Sequence, residues 1–227
     1  MDKTSMPKML ELFCGTKSVG KVFQQKYDVV SLDFIPKFNP TICEDILTWD
    51  YKKDYKEGDF EVIWASPDCR SWSVAGGGRH RVKIDMKPKS ETAVLGEKLI
   101  HKTLEIIEYF KPKVWYIENP RGLLQYFPPM KTLGKTLVYY GNYKHNGENY
   151  AMVKPTHFWS NIPLWEDEKK PIMEADTYTI KYHNHDGRLK RFYKQYEKGA
   201  KEKSVIPSEL IERVFRNNEY FLSNTIL

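Results

Sequence analysis

Five short apolar runs, each closing on a glycine, an acid or a proline turn, constrain the fold of this chain most. KMLELF (8–13) runs into Gly15, DVVSLD (28–33) and TICEDI (41–46) close on or beside acids, DFEVIWA (59–65) meets Ser-Pro-Asp-Cys (66–69), and VWYIE (114–118) meets Asn119-Pro120. Runs of this length, bounded by turn residues, read as buried strands. Two helical patterns lie between them. KSVGKVFQQK (17–26) places Val19, Val22 and Phe23 at helical spacing, and 92–110 steps Leu95, Leu99, Thr103, Ile106 and Phe110 along one face until Pro112 stops it. Strands alternating with helices predict an α/β layered sheet, mostly parallel, with right-handed crossovers. TLVYY (136–140) and YAMVKPTHFW (150–159), linked by GNYKHNGEN (141–149), predict an antiparallel hairpin at one edge. Pro207 opens a last helix, SELIERVF (208–215), with Leu210, Val214 and Phe215 inward.

Composition narrows the class. The 227 residues, 41% hydrophobic and 14% aromatic, suffice for one domain with a real core. No apolar run approaches the roughly 20 residues of a membrane span, and MDKTSMPK lacks the apolar segment of a secretory signal. Cys14, Cys43 and Cys69 cannot all pair and show no C-x-x-C spacing, so no metal site is expected and a reducing, intracellular compartment fits. The net charge of +6 favours a polyanionic partner. Basic residues crowd into 79–89 and 181–203, and the second stretch interleaves Tyr182, Phe192, Tyr193 and Tyr196, which either stack on bases or anchor a surface segment.

In a doubly wound sheet the five run ends converge on one crevice. A glycine turn feeding a helix (13–20) lets backbone approach a ligand. Asp33 lies 18 residues beyond Gly15, where an acid takes ribose hydroxyls, and Asp45 can accept from an adenine amino group. The turn is neither a P-loop, since Val22 follows Lys21, nor G-x-G-x-x-G, since Lys17 replaces the middle glycine. The three ends together describe a pocket for an adenosine-containing cofactor. Cys69 follows a strand end in a polar turn before GGGRH (76–80), a placement for a reactive group, whereas a lone cysteine is ordinarily core filler. A thiol and the Glu118 carboxyl on adjacent strand ends suit covalent addition to an electron-poor ring.

These stretches together resemble the cytosine-5 DNA methyltransferases, in particular the small viral and phage forms. The matching residues are LELFCGTKSVGKVF (10–23), VVSLDF (29–34), CEDIL (43–47), ASPDCRSWSVAG (65–76), YIENPRGLL (116–124), VKPTHFWSNI (153–162) and KSVIPSELIERVF (203–215), in family order. The resemblance implies a Rossmann-like class I methyltransferase sheet that uses S-adenosylmethionine and acts on double-stranded DNA. It makes Cys69 the nucleophile toward C6 of a flipped cytosine and Glu118 the acid at N3. It places Phe13, Gly15, Thr16, Asp33, Phe34, Asp45, Ile46 and Pro67 in the cofactor pocket. Asn119, Lys154 and Thr156 would lie at the target base, and Arg79, His80 and Arg81 in a loop (70–89) that closes over it and neutralises phosphates. The chain departs from the family in three places: Asp68 precedes the cysteine, Lys17 stands where a small residue is usual, and Lys154, Thr156 and His157 replace an arginine pair. The implied division is a catalytic core (1–161), a short basic insert (162–203) in place of a recognition domain, and a helix returning to the core (204–227). An RNA cytosine-5 methyltransferase and a degenerate homologue that binds nucleic acid without catalysis stay open as alternatives.

Overall fold

The computed structural model describes residues 6–74, 79–82, 85–149, 153–165, 169–171, 178–183, 189–193 and 205–224; for 149, 178–183 and 189–193 it describes backbone only. Its centre is a six-stranded mixed sheet. The strands are β1 (Lys8–Leu12), β2 (Asp28–Leu32), β3 (Phe60–Ala65), β4 (Val114–Pro120), β5 (Lys135–Tyr139) and β8 (Pro155–Ser160), in the order β2-β1-β3-β4-β8-β5. Neighbours from β2 to β4 are parallel, while β8 runs antiparallel to both β4 and β5. The chain moves outward from β1 to β2 and then returns to β1's other side as β3. That reversal opens a crevice at the strand C-termini, the place where such sheets bind ligands. This is the Rossmann-like class I arrangement.

Side chains alternate along each strand, and both faces are covered. Leu10, Leu12, Ile63, Ala65, Ile117 and Trp159 enter one core with Leu99, Ile100, Ile106 and Phe110. Met9, Val62, Trp64, Val114, Tyr116 and Phe158 enter the other with Val19, Val22, Phe23, Leu210, Ile211 and Val214.

The helices cover these faces for legible reasons. α1 (Gly20–Phe23) is the regular turn within the predicted 17–26 segment, and α2 (Tyr51–Asp54) is equally short. α3 (Glu91–Phe110) starts at Ser90, whose hydroxyl accepts from the Ala93 N–H, and stops at Lys111, in the left-handed region just before Pro112. α4 (Pro128–Lys131) precedes β5. α5 (Ser208–Asn224) runs nine residues past the predicted 208–215 and packs Phe215 edge-to-face on Phe23 at 5.2 Å.

Four sequence expectations need correction. TICEDI forms no strand; only Ile42 bridges Leu32, because Asp45 then turns the chain by accepting the Leu47 N–H. The 150–159 strand is regular only from Pro155, with 150–152 outside the described residues. Its linker is not a plain loop. β6 (Lys144–His145) and β7 (Glu148–Asn149) pair across Asn146-Gly147, whose φ values of 52° and 85° are those of a tight hairpin turn. This hairpin caps α5: the His145 ring accepts from the Ser208 N–H and Glu209 accepts from the Lys144 N–H. β4 also continues through Asn119-Pro120, pairing Pro120 with Thr156. In the insert, β9 (Tyr178–His183) and β10 (Leu189–Tyr193) form a separate antiparallel pair, and Tyr196 lies outside the described residues. Among the described residues no helix is long and apolar enough to cross a membrane.

One carboxyl is buried in the fold itself. Glu11 is 2% exposed beneath the start of α1, where a Cβ on Gly20 would come within 2.5 Å of Glu11 Oε2. Burial raises its pKa to about 7, against the pull of the Gly20 and Val19 N–H groups. The folded state therefore holds a proton that the unfolded chain releases. Stability is greatest below the ordinary pKa of 4.5 and falls as pH rises to about 7, by roughly 3 kcal/mol from this group. Glu11→Gln is expected to flatten the melting temperature between those pH values and raise it at neutral pH, as a thermal-unfolding series will show.

Candidate active site

The turn after β1 is built from unusual backbone. Phe13, Gly15 and Lys17 have φ of 58°, 47° and 56°, so alternate residues sit in the left-handed region and the loop curls tightly. The Gly15 N–H donates to Asp33 Oδ2 at 2.9 Å, and the Ile35 N–H donates to Asp33 Oδ1 at 2.9 Å. Asp33 thus ties the first turn to the second, and its oxygens keep further lone pairs. Phe34 beside it is 67% exposed, a large apolar ring left open at the crevice. Thr16 is half-buried and Asp45 is exposed. Ile46 packs in the core with Leu32 and Trp49. Lys17 Nζ donates to the Asn39 carbonyl, which tethers the ammonium to the turn after β2. Cys14 is buried, and burial together with Glu11 pushes its thiol up to about 12, so it stays protonated.

The turn after β3 carries Cys69, half-buried. Its carbonyl accepts the Trp72 and Ser73 N–H groups at 3.0 and 2.8 Å, which winds the chain into a helical turn and fixes the thiol's base. Pro67 is buried, and its carbonyl accepts from the Asn119 side-chain amide at 2.9 Å. That single bond locks the β3 turn to the end of β4. Glu118 is 7% exposed, and the charges of Glu118 and Lys154 both act on the thiol. Burial raises the Cys69 pKa most, Glu118 raises it next, Lys154 opposes them and Asp68 adds a smaller push. Asp68 spends its charge on Arg70, accepting from the Arg70 Nε at 2.7 Å and pairing its NH2 at 2.5 Å. The acid beside the thiol thus perturbs it in the expected direction but not chiefly.

Lys154 enters from the start of β8 with a strained φ of 25°. Burial lowers its pKa, while Glu118 and Cys69 hold it up. Sequence reasoning missed the group on which it rests. Tyr140, fully buried, donates its hydroxyl to Glu118 Oε1 at 2.9 Å and presents its ring 4.5 Å below Lys154 Nζ. The available signal was the run TLVYY itself, whose last residue reaches the same sheet end as Glu118.

Three expected substrate contacts point inward. Arg81 is 1% exposed and is no phosphate contact: its guanidinium lies 3.4 Å from the Trp72 ring centroid. It pairs with Glu97 at 2.6 Å and donates to the Ser71, Met86 and Ala93 carbonyls. The segment around it is pinned to α3 and leaves no face of the cation for solvent. Thr156 is fully buried and donates to the Lys154 carbonyl at 3.2 Å. Asn119, also fully buried, holds Pro67 as described. Both position backbone beneath the crevice. Arg79 is exposed, and His80 shares a hydrogen bond with Ser90 at the start of α3. Residues 75–78 and 83–84 of the loop lie outside the described residues.

Residues 8–135 match the family described as C-5 cytosine-specific DNA methylase. A protein of Frog virus 3 (isolate Goorha) named "Probable DNA (cytosine-5)-methyltransferase" is 31% identical over 170 residues, 70% of each chain. Among solved structures, a prophage-encoded E. coli protein named "putative DNA modification methyltransferase" has 12% identity and a TM-score of 0.48, covering 73% of this chain and 52% of that one. The methyltransferase EhMeth of Entamoeba histolytica has 11% identity and a TM-score of 0.48, covering 75% of this chain and 58% of that one. The chain thus spans between half and three-fifths of the solved structures it matches. With the family match extending over more than half its length and a viral relative over 70% of it, the chain belongs to the C-5 cytosine-specific DNA methylase family.

Proposed function

We propose that this chain is an S-adenosylmethionine-dependent methyltransferase that modifies C5 of a cytosine flipped out of double-stranded DNA, through a covalent adduct at Cys69. The observation that carries the reading is the meeting of Cys69, Glu118 and Lys154 at neighbouring strand ends beside the switch point of the sheet.

The chain's residues fit the cofactor. The left-handed Gly15 turn brings backbone close, Asp33 retains acceptor capacity for hydroxyls, and the open Phe34 ring offers an apolar face. Gly15, Thr16, Asp33, Phe34 and the exposed Asp45 would hold it, with Phe13 and Pro67 at the flanking turns. When bound, S-adenosylmethionine supplies an electrophilic methyl group.

The protein's own groups act on the base. The Cys69 thiolate forms a bond to C6, and the C5–C6 π pair moves toward C5 and the ring amide. Glu118, as the carboxylic acid, delivers its proton to N3, so no full negative charge develops on the ring. Lys154 lies near enough to thiol and carboxyl to favour both anions, the thiolate before attack and the carboxylate after it. Once C5 carries the methyl group, loss of the C5 proton to a base lets the C5–C6 double bond re-form and expels the thiolate, and the N3 proton returns to the Glu118 carboxylate. The insert, 162–203, is too short for a large recognition lobe, and we infer short or relaxed sequence specificity from it.

The test is transfer of label from S-adenosylmethionine to duplex DNA, with the modified base identified by sequencing. Label in 5-methylcytosine of DNA is the expected result. Label only in RNA changes the substrate class, and tight DNA binding with no transfer to either polymer overturns the reading.

A further inference from the structure

We propose that Tyr140 is a positioning residue of the reaction, a buried hub that orients the Glu118 carboxyl and the Lys154 ammonium together; this rests on the function proposed above. The sequence marks Tyr140 only as the end of an edge-strand run, and no comparison assigns it a role.

The geometry gives one side chain two separate tasks. The hydroxyl donates to Glu118 Oε1 at 2.9 Å. An oxygen that accepts this bond is held in place, and the acid's proton is directed to the other oxygen, the one free to face a base. After proton delivery the same bond stabilises the carboxylate that remains, and bonds to charged groups are the stronger ones. The ring does the second task. Lys154 Nζ sits 4.5 Å from its centroid, within cation–π range, so the π face holds a flexible ammonium in one place. A lysine has more freedom than the arginines usual at this strand, and the ring restricts it. Thr156 adds to this by fixing the Lys154 carbonyl. Tyr140 itself is fully buried and reaches no substrate. Its position is independent of Cys69: it comes from the end of β5, beyond β8, two strands away from β4 in the sheet.

The two tasks separate by substitution. Tyr140→Phe keeps the ring beneath Lys154 and removes only the hydroxyl. Tyr140→Leu removes both. With the full chain and a duplex carrying 5-fluorocytosine, Tyr140→Phe is expected to slow covalent adduct formation by about 10- to 100-fold, the range of a lost bond to a charged group. The KM for S-adenosylmethionine and its binding by calorimetry are expected to stay within about twofold of wild type, a level well below one kcal/mol. Tyr140→Leu is expected to be slower again. A double-mutant cycle separates positioning from packing. On a Glu118→Gln background, Tyr140→Phe is expected to cost about twofold at most, because its partner is already altered. An equal cost on both backgrounds, or a wild-type adduct rate in Tyr140→Phe, overturns the proposal while leaving the proposed function intact. No adduct with the wild-type protein overturns both.

Discussion

Cys69→Ala is expected to abolish methyl transfer, by on the order of 10⁴-fold or more, while leaving the fold and cofactor binding nearly unchanged. The loss is large because the Cys69 thiol is the nucleophile on which the charges of Glu118 and Lys154 act. Cys14 is buried with its thiol held protonated, and Glu118 and Lys154 are committed to charge and proton work. The structural cost is small because Cys69 is only half-buried and its backbone, not its thiol, holds the turn. Single-turnover assays and a melting curve on one preparation separate the two effects. A sign test comes with it. Burial and Glu118 raise the thiol pKa while Lys154 lowers it, so the thiolate fraction and the adduct rate are expected to climb with pH through the neutral range. Lys154→Met removes the opposing charge, and its curve should lie at higher pH. A Cys69→Ala protein that still methylates cytosine at a comparable rate would remove the thiol from the chemistry.

The second large effect is on stability. Arg81→Ala is expected to destabilise the protein by about 4 kcal/mol, the size associated with breaking a buried ion pair from one side. For a chain of this length that lowers the melting temperature by about 8–16 °C. The number follows from what the cation does. It stacks on Trp72, donates to three backbone carbonyls and pairs with Glu97. Removing it takes one donor from each of those carbonyls and opens a gap above a fully buried indole. Glu97→Gln is expected to cost much less, near 1 kcal/mol, because that side chain is 25% exposed and rehydrates. Arg81→Lys should fall between, since an ammonium keeps the charge but not the planar fork. Equal melting temperatures for wild type and Arg81→Ala would show that the segment is not pinned by this contact. The same experiment bears on the reaction: Trp72 follows Cys69 by three residues in the same turn, so a loosened Arg81 is expected to lower kcat more than it raises KM.

The sequence by itself determined the alternation of strands and helices, TICEDI excepted, and marked Cys69 and Glu118 as candidates at two strand ends. It did so because period-two burial, a glycine turn, a capped helix and a Ser-Pro-Asp-Cys turn are local signals, written in residues a few positions apart. TICEDI shows the limit of such signals. Its pattern fits a strand, but Asp45 captures the Leu47 N–H and ends the pairing after one bridge. What only the tertiary structure decided is the direction in which each loop residue points. Arg81 reads as a cation for phosphate, yet Trp72 and Glu97 claim it, the second from a helix 16 residues on. Asn119 and Thr156 read as substrate contacts, yet each turns inward to hold a carbonyl. Tyr140 was missed for the opposite reason: TLVYY brings its last residue to the sheet end, and only the fold shows that its hydroxyl meets a carboxyl 22 residues earlier. Distances along the chain carry no information about such meetings; the strand order, in which β8 intervenes between β4 and β5, creates them.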